Sequence, residues 1–295
     1  MEEFKPIVKR NYKDSLFRLI FGGEDKSWTL SLYNAVNGSD YRNPEDITIT
    51  TIEDALYLNM KNDVSFLIAD TMNLYEAQST FNPNMPLRML IYAGMVYSSY
   101  IDVQNIRIYG SMPQRIPAPR LVVFYNGERQ MDDRKILKLS DSFPESMNGD
   151  IEVTVNMLNI NSGSNGKLLE RCRPLCDYSL FVSGVRKYKA KGKTMEASVH
   201  LAIRDLPDDS PIKGYLLSME AEVVFSCITE YDEQKVMNQF REEGREEGLE
   251  KGRTEGEQRM GTLISQLLSL GKTEEAKKAA SDPEFRNQLY KQYNL

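Results

Sequence analysis

The sequence contains little of the chemistry on which many enzyme classes depend. Its 295 residues include three cysteines, one tryptophan and one histidine. His200 is the only histidine, and nothing near it suggests a serine or cysteine triad. Cys172, Cys176 and Cys227 cannot all pair, which is typical of reduced thiols in a cytosolic protein, and no further cysteine or histidine completes a zinc set around them. Catalysis by this chain would therefore rest on carboxylates and a metal ion.

Long apolar runs are also missing. No stretch approaches the roughly 20 apolar residues that a membrane helix needs. Residues 1–5 have neither the cationic start nor the apolar run of a signal peptide. We therefore expect a cytoplasmic protein with no membrane partner.

The net charge of −6 is unevenly distributed. Residues 218–257 hold 12 acidic and five basic residues, a net charge of −7 that leaves about +1 for the rest of the chain. Within that rest are an acid-free basic run and a looser basic group. Each is either a phosphate-binding face or a solvated basic loop. The acid-free run is Arg186, Lys187, Lys189, Lys191 and Lys193, and the looser group is Arg107, Arg115, Arg120, Arg129, Arg134, Lys135 and Lys138.

Hydrophobic periodicity predicts helices and strands in alternation. Strand patterns lie at residues 47–52, 63–69, 73–80, 120–125 and 151–160. Helical spacing covers 11–21, 28–36 and a segment that ends near Tyr100. This order predicts an α/β fold, a mixed central sheet flanked by helices.

The last third of the sequence predicts an all-helical C-terminal extension. Glycines recur every four residues at Gly244, Gly248, Gly252 and Gly256, and each costs a helix roughly 1 kcal/mol relative to alanine. We therefore expect a solvated or partner-dependent helix, and a homo-oligomer formed through it. Thr273 and Asp282-Pro283 indicate two later helix starts. The predicted domains are a core at 1–216, a charged glycine-repeat helix at 217–260 and a small helical appendage at 261–295.

Two strands at residues 63–69 and 73–80 predict a hairpin with carboxylates on one face. An even loop centred on Asp70-Thr71 places Asp63 opposite Gln78 and makes Asp63 and Glu76 diagonal neighbours, about 7–8 Å apart at the backbone. A slip of one residue would put the two carboxylates on opposite faces.

Two carboxylates on a half-buried face repel each other unless a cation lies between them. Mg²⁺ accepts such oxygen ligands together with water and substrate phosphate. The alternative interpretation is that Asp63 ends a strand and Glu76 is an exposed edge residue, since an Asp and a Glu at this separation are common.

Several short segments together resemble the recombination-promoting nuclease/putative transposase family of the PD-(D/E)XK nuclease superfamily. The resemblance covers roughly residues 5 to 260, and it is specific as a set rather than in any single piece. The segments are Asn-Asp-Val-Ser-Phe at 62–66, Glu-Ala-Gln-Ser-Thr at 76–80, Pro-Leu-Arg at 86–88, Tyr-Lys-Asp-Ser-Leu-Phe-Arg at 12–18, Val-Val-Phe-Tyr-Asn-Gly at 122–127 and the Arg-Glu-Glu-Gly repeats from Arg241.

The resemblance implies a restriction-endonuclease-like core and Mg²⁺-dependent cleavage of DNA, with Mn²⁺ or Ca²⁺ as alternative metals. It assigns the metal to Asp63, Glu76 and the backbone carbonyl of Ala77, and it places Gln78 where the superfamily has a lysine. Asp14 matches an N-terminal acidic position that supports the metal or its waters. Arg88 matches a basic residue that meets phosphate.

Departures from the family pattern bear on turnover. Asn62 replaces the proline of the superfamily name, and Ala77 replaces a histidine often found there. Gln78 cannot take up a proton, so it can orient a water molecule but not deprotonate it. Three hypotheses follow: a DNA endonuclease from a recombination or mobile-element setting, a DNA-binding or regulatory module of the same fold, and an assembly factor that acts through the glycine-repeat helix.

Overall fold

The computed structural model describes residues 15–295 except 24, 51–62, 145, 146, 148 and 294, and it leaves out the side chains of 232–241, 243, 244 and 247. Within this range the chain forms the following strands and helices. The strands are β1 Thr48–Ile49, β2 Val64–Ile68, β3 Thr71–Gln78, β4 Ala118–Tyr125, β5 Arg134–Lys138 and β6 Thr154–Asn159. The helices are α1 Leu16–Phe21, α2 Lys26–Asn37, α3 Met85–Val103, α4 Gly166–Arg171, α5 Arg173–Ala190, α6 Met195–Asp205, α7 Lys213–Ser218, α8 Glu220–Ser269, α9 Thr273–Ser281 and α10 Pro283–Gln292.

The described strands form one mixed sheet in the order β1-β2-β3-β4-β6-β5. Strands β3, β4 and β6 run parallel to one another, and the other pairings are antiparallel. Helix α3 connects β3 to β4, as a parallel pair requires a crossover connection. The predicted α/β class, with a mixed sheet flanked by helices and a helical C-terminal part, is confirmed. Strand β5 was not predicted.

Side-chain alternation divides the core into two apolar layers. In β2 and β3, Phe66 and Tyr75 belong to the layer that includes α1, α2, α5 and α6. Leu74 belongs to the opposite layer, together with Met89 of α3. Because successive strand residues point to opposite faces, Glu76 and Gln78 follow Leu74 to the α3 side of the sheet.

The hairpin corrects the predicted register. Ile68 pairs with Thr71 and Val64 with Tyr75, so the loop is Ala69-Asp70 rather than Asp70-Thr71. Thr71 joins the strand because its branched side chain suits a pleated surface, and its hydroxyl donates a 2.8 Å hydrogen bond to the Ile68 carbonyl. The cross-strand pairing shifts by two residues, so the strand residues keep their predicted faces while every cross-strand partner changes.

The chain divides into two compact units, residues 1–234 and 235–295, with the boundary inside α8. In the second unit, Leu263 and Leu267 of α8 form a small core with α9 and α10. The two predicted helix starts are confirmed: α9 begins at Thr273, and the Asp282 side chain caps α10 by accepting hydrogen bonds from the amides of Glu284 and Phe285, each 3.0 Å long. None of the described helices is long and apolar enough to cross a membrane.

Candidate active site

Asp63 and Glu76 meet where β2 begins and β3 approaches its end. The last paired residues on this side are Val64 and Tyr75. Continuing the antiparallel pairing by one residue sets Asp63 opposite Glu76, not opposite Gln78 as the sequence predicted. Side chains directly across an antiparallel pair have Cβ atoms about 4.5–5.5 Å apart, which is closer than the predicted diagonal arrangement.

Both oxygens of Asp63 accept hydrogen bonds. Ser15 Oγ donates to Oδ1 at 2.5 Å, and the amide of Ala77 donates to Oδ2 at 2.7 Å. Ser15 is also the N-cap of α1, where its Oγ accepts a 3.2 Å bond from the Arg18 amide. Burial raises the pKa of the Asp63 carboxyl and outweighs the hydrogen bonds and the nearby guanidinium groups, which lower it.

Glu76 is a buried carboxylate, only 5% exposed. Its Oε1 accepts from Arg88 Nη2 at 2.6 Å and from Gln78 Nε2 at 3.3 Å. Its Oε2 is buried and has no hydrogen-bond partner among the described residues. Burial and, to a lesser degree, the charge of Asp63 raise the pKa of Glu76 to about 7, although Arg88 acts in the opposite direction. The free oxygen and the raised pKa mark a carboxylate that lacks enough positive charge around it.

Gln78 lies on the same face of β3, two residues beyond Glu76. Its amide nitrogen donates to Glu76 and contacts the sulfur of Met85 at 2.8 Å. Its amide oxygen is buried without a hydrogen-bond partner within the described part of the chain. A second unsatisfied oxygen therefore lies beside that of Glu76, and an unsatisfied buried polar atom in a native structure requires an explanation.

Arg88, in the first turn of α3, brings the positive charge to this cluster. Besides its ion pair with Glu76, its Nη2 and Nε donate to the hydroxyl of Tyr92 at 2.9 and 3.3 Å. About 30% of its side chain is exposed. The resemblance implied a contact with phosphate, and the structure shows the guanidinium bound to Glu76.

Two further residues of the cluster were not singled out in the sequence. Ser15 lies within a segment that resembles the nuclease family, and a serine before an apolar helical run is a cap signal. Tyr92 is four residues after Arg88 and thus on the same helix face. Neither the serine's bond to Asp63 nor the tyrosine's bond to Arg88 could be inferred from local spacing alone. Asp14, the predicted supporting acid, lies outside the described residues.

The acid-free basic run occupies the end of α5 and the turn after it, so it is in part helical rather than a loop. Nη1 of Arg186 donates a hydrogen bond to the backbone carbonyl of Asn126. Lys187 and Lys191 lie 5.4 and 5.8 Å from the ring centroid of Tyr188, and Lys189 Nζ lies 5.5 Å from that of Tyr231 and donates to the Lys193 carbonyl at 3.2 Å. Lys187, Lys191 and Lys193 are exposed. Arg186 is the member of the run nearest the carboxylates: it and Asp63 both act on the hydroxyl of buried Tyr178, and the Asn126 backbone it bonds is itself hydrogen-bonded to Gln78.

The carboxylates at the open end of the β2–β3 hairpin fit a divalent cation only in part. Among the described residues, no three histidine, cysteine, aspartate or glutamate side chains form a group that could hold a metal. Asp63 and Glu76 are two carboxylates close enough for the charge of Asp63 to raise the pKa of Glu76, and Glu76 Oε2 is unpartnered within the described range. A hard cation bound by one or two carboxylates, with water completing its shell, fits this set.

Comparison with known proteins gives no relative. No protein-family model matches the sequence, no curated protein matches it, and no solved structure matches its fold.

Proposed function

We propose that the chain is a metal-dependent DNA endonuclease that hydrolyses phosphodiester bonds, with a restriction-endonuclease-like core and a setting in recombination or mobile elements. The observation that carries the proposal is that Asp63, directly before β2, lies within electrostatic range of Glu76 on β3, and that one buried oxygen of Glu76 has no partner among the described residues. The family resemblance of the surrounding segments supports it.

Asp63, Glu76 and the carbonyl of Ala77 would hold Mg²⁺, with Mn²⁺ or Ca²⁺ as alternatives. When bound, the cation would lower the pKa of a water molecule and neutralise charge that develops on the phosphodiester. Hydrogen bonds within the chain fix both carboxylates. Ser15 and the Ala77 amide donate to Asp63, while Arg88 and Gln78 donate to Oε1 of Glu76. Oε2 is left for the metal.

Gln78 would orient water or phosphate through its amide, because it cannot accept a proton from water at neutral pH. Arg88 would balance the charge of Glu76 before the cation arrives. With 30% of its side chain exposed, it can also turn toward a phosphate once the cation has taken over that balance. Asp14 remains a proposed supporting residue.

Nicking of a supercoiled plasmid tests the proposal. The wild-type chain should nick in Mg²⁺ and not in EDTA, and Asp63→Ala and Glu76→Gln should each abolish nicking. Asp70→Asn is a matched control, because it removes one carboxylate from the exposed turn at the other end of the same hairpin. Unchanged nicking by Asp63→Ala would refute the assigned site.

A second candidate is a DNA-binding or regulatory module without useful turnover. It is favoured by the engagement of both Asp63 oxygens and of Glu76 Oε1 within the protein, and by the neutral side chain of Gln78 at the position of the superfamily's lysine. A wild-type chain that never nicks, yet shifts DNA in a salt-sensitive manner, would support this alternative.

For the second unit we propose homo-oligomer formation through α8. Gly248, Gly252 and Gly256 each have open space where a Cβ would lie, and residues 248–259 are exposed. Truncation at Phe240 tests the assignment. Loss of oligomers with nicking retained would confine this segment to assembly, whereas an unchanged oligomeric state would exclude it as the interface.

A further inference from the structure

A cavity of about 360 Å³ lies beside the candidate site. It opens at the end of the parallel strands β3 and β4, the edge at which open α/β sheets bind ligands. Its wall includes Tyr125, which pairs directly with Gln78 and so projects from the same face of the sheet. Other wall residues are Phe81, Arg129, Met131, Asp132 and Lys135. The cavity and the Glu76–Gln78 cluster therefore share one face and one edge.

The wall formed by the segment after β4 is fixed by hydrogen bonds to its backbone. The hydroxyl of Tyr125 donates to the Arg129 carbonyl at 3.1 Å, and the side-chain amide of Asn159 donates to the Met131 carbonyl at 2.8 Å. The backbone amide of Asn126 donates a 3.0 Å hydrogen bond to the backbone carbonyl of Gln78, which connects the start of this segment to the end of β3. These hydrogen bonds fix the wall, so the cavity is already formed in the folded chain and does not depend on a mobile loop.

Two cations converge on one aromatic ring in this cavity. The guanidinium carbon of Arg129 and the Nζ of Lys135 each lie 4.8 Å from the ring centroid of Phe81. Cation–π attraction holds like charges near each other that would otherwise separate. Within the described part of the chain neither cation forms a salt bridge, even though the carboxylate of Asp132 also lines the cavity. Both cations are exposed and thus accessible to an anion from solution.

We propose that Arg129 and Lys135, held over Phe81, form a clamp for a phosphodiester of the nucleic-acid backbone next to the one that is cleaved. Arginine and lysine are the residues that bind backbone phosphate, and such contacts set the register of the strand. The volume is near the lower end of the roughly 300–1,000 Å³ of ligand pockets, which suits one nucleotide-sized group. The substrate role of this clamp rests on the proposed nuclease function, but its binding of nucleic acid does not.

The test is equilibrium binding of a fluorescein-labelled oligonucleotide to the full chain in EDTA, as a single strand and as a duplex of the same sequence. We expect the double variant Arg129→Gln/Lys135→Gln to weaken binding by about tenfold. It should also reduce the slope of log K against log salt by about 0.7–0.9 for each phosphate that the clamp neutralises in the wild type. Phe81→Leu keeps the charge and the apolar volume but removes the ring that positions the cations. It should weaken binding with an unchanged salt slope.

The matched control is Arg107→Gln/Arg115→Gln, which removes two other exposed cations from the segment before the start of β4, outside the lining of the cavity. Equal weakening by both double variants, or no weakening by the clamp variant, would overturn the proposal. A single strand bound more tightly than the duplex, or the reverse, identifies the form that the clamp takes.

The two proposals fail in different ways. Because binding is measured without metal, a chain that never nicks but binds more weakly in the clamp variant would retain the clamp and exclude the nuclease. A chain whose nicking requires Asp63, but whose clamp variant binds and nicks as the wild type does, would retain the nuclease and exclude the clamp. Thermal unfolding of the two double variants should match that of the wild type, since the replaced cations are exposed.

Discussion

Nη2 of Arg88 lies 2.6 Å from Oε1 of Glu76, and this contact joins the first turn of α3 to the end of β3. The side chain of Glu76 is 7% exposed and that of Arg88 is 30% exposed. The charge of Asp63 also acts on Glu76, and both Arg88 and Arg18 lower the pKa of Asp63. Arg88 is therefore the main counter-charge of Glu76.

Arg88→Gln should destabilise the fold at high pH, because it leaves Glu76 without its counter-charge and Asp63 with Arg18 alone. Breaking a buried ion pair costs about 3–5 kcal/mol, and the partial exposure of Arg88 reduces this to about 2–3 kcal/mol at pH 8. The cost should shrink at pH 5, where Glu76 can take up a proton. Urea unfolding at the two pH values measures it, with Arg88→Lys as the charge-retaining control. An equal loss at both pH values would show that the role of Arg88 is packing alone.

Glu76 should make the metal-free fold less stable as the pH rises. Its pKa is raised to about 7 in the folded chain from an ordinary value near 4.5, so the folded state holds the proton more tightly than the unfolded state. Stability should fall between about pH 4.5 and 7 and then level off. The full difference is about 3 kcal/mol at 1.36 kcal/mol per pH unit. Asp63, whose pKa is also raised, acts in the same direction.

Glu76→Gln should remove most of this decline, and at pH 8 in EDTA it should unfold at a higher temperature than the wild type. Under the proposed function Mg²⁺ would bind the folded state only, so it should raise the unfolding temperature of the wild type at pH 8 and not that of Glu76→Gln. A decline with pH that persists unchanged in Glu76→Gln would assign it to other groups.

Ser15→Ala should cost about 1–2 kcal/mol, because it removes both an N-cap and the hydroxyl that donates to Asp63. Ser15→Thr keeps both hydrogen bonds and should cost less. A double-mutant cycle with Asp63→Asn separates the two roles by urea unfolding. If the cost of Ser15→Ala is the same in both backgrounds, the serine acts as a cap only and does not position Asp63.

The hairpin shows which part of the site local sequence can predict. Strand alternation placed Asp63, Glu76 and Gln78 on one face; the structure has Glu76 and Gln78 on one face of β3, and Asp63 directly precedes β2. The exact partners were wrong because Thr71 pairs with Ile68, which moves the turn back by one residue to Ala69-Asp70. The face of a side chain depends on alternation alone, whereas its partner depends on which residue closes the turn. The one-residue error in the turn therefore shifted every partner by two residues without moving a side chain to the other face.

Strand β5 and the contacts of Asp63 lay beyond the reach of such patterns. Only Leu137 of β5 is buried, and its sequence Arg-Lys-Ile-Leu-Lys has too little apolar alternation to indicate a strand. Ser15 and Asp63 are 48 residues apart in the chain. Their contact depends on how α1 packs on the sheet, and no spacing rule within one element can predict it. The order of helices and strands was easier to predict, because each of the longer elements shows its own hydrophobic period in the sequence.

Gly127 tests whether the end of β3 and the segment after β4 must stay in close contact for the site to form. A Cβ at this position would lie 2.2 Å from the Ser79 carbonyl oxygen and 2.5 Å from the hydroxyl of Tyr125. Gly127→Ala should therefore force the backbone apart and destabilise the fold by more than about 2 kcal/mol, within the range of overpacking. Gly214→Ala is the matched control, because its Cβ meets nothing within 4 Å and alanine in α7 should be neutral or stabilising by up to about 1 kcal/mol. Since Gly127 joins the wall of the cavity to the strand that carries Gln78, Gly127→Ala should also weaken oligonucleotide binding in EDTA under conditions where the protein remains folded. A variant of normal stability with normal binding would show that this close approach is not needed to hold the two sites together.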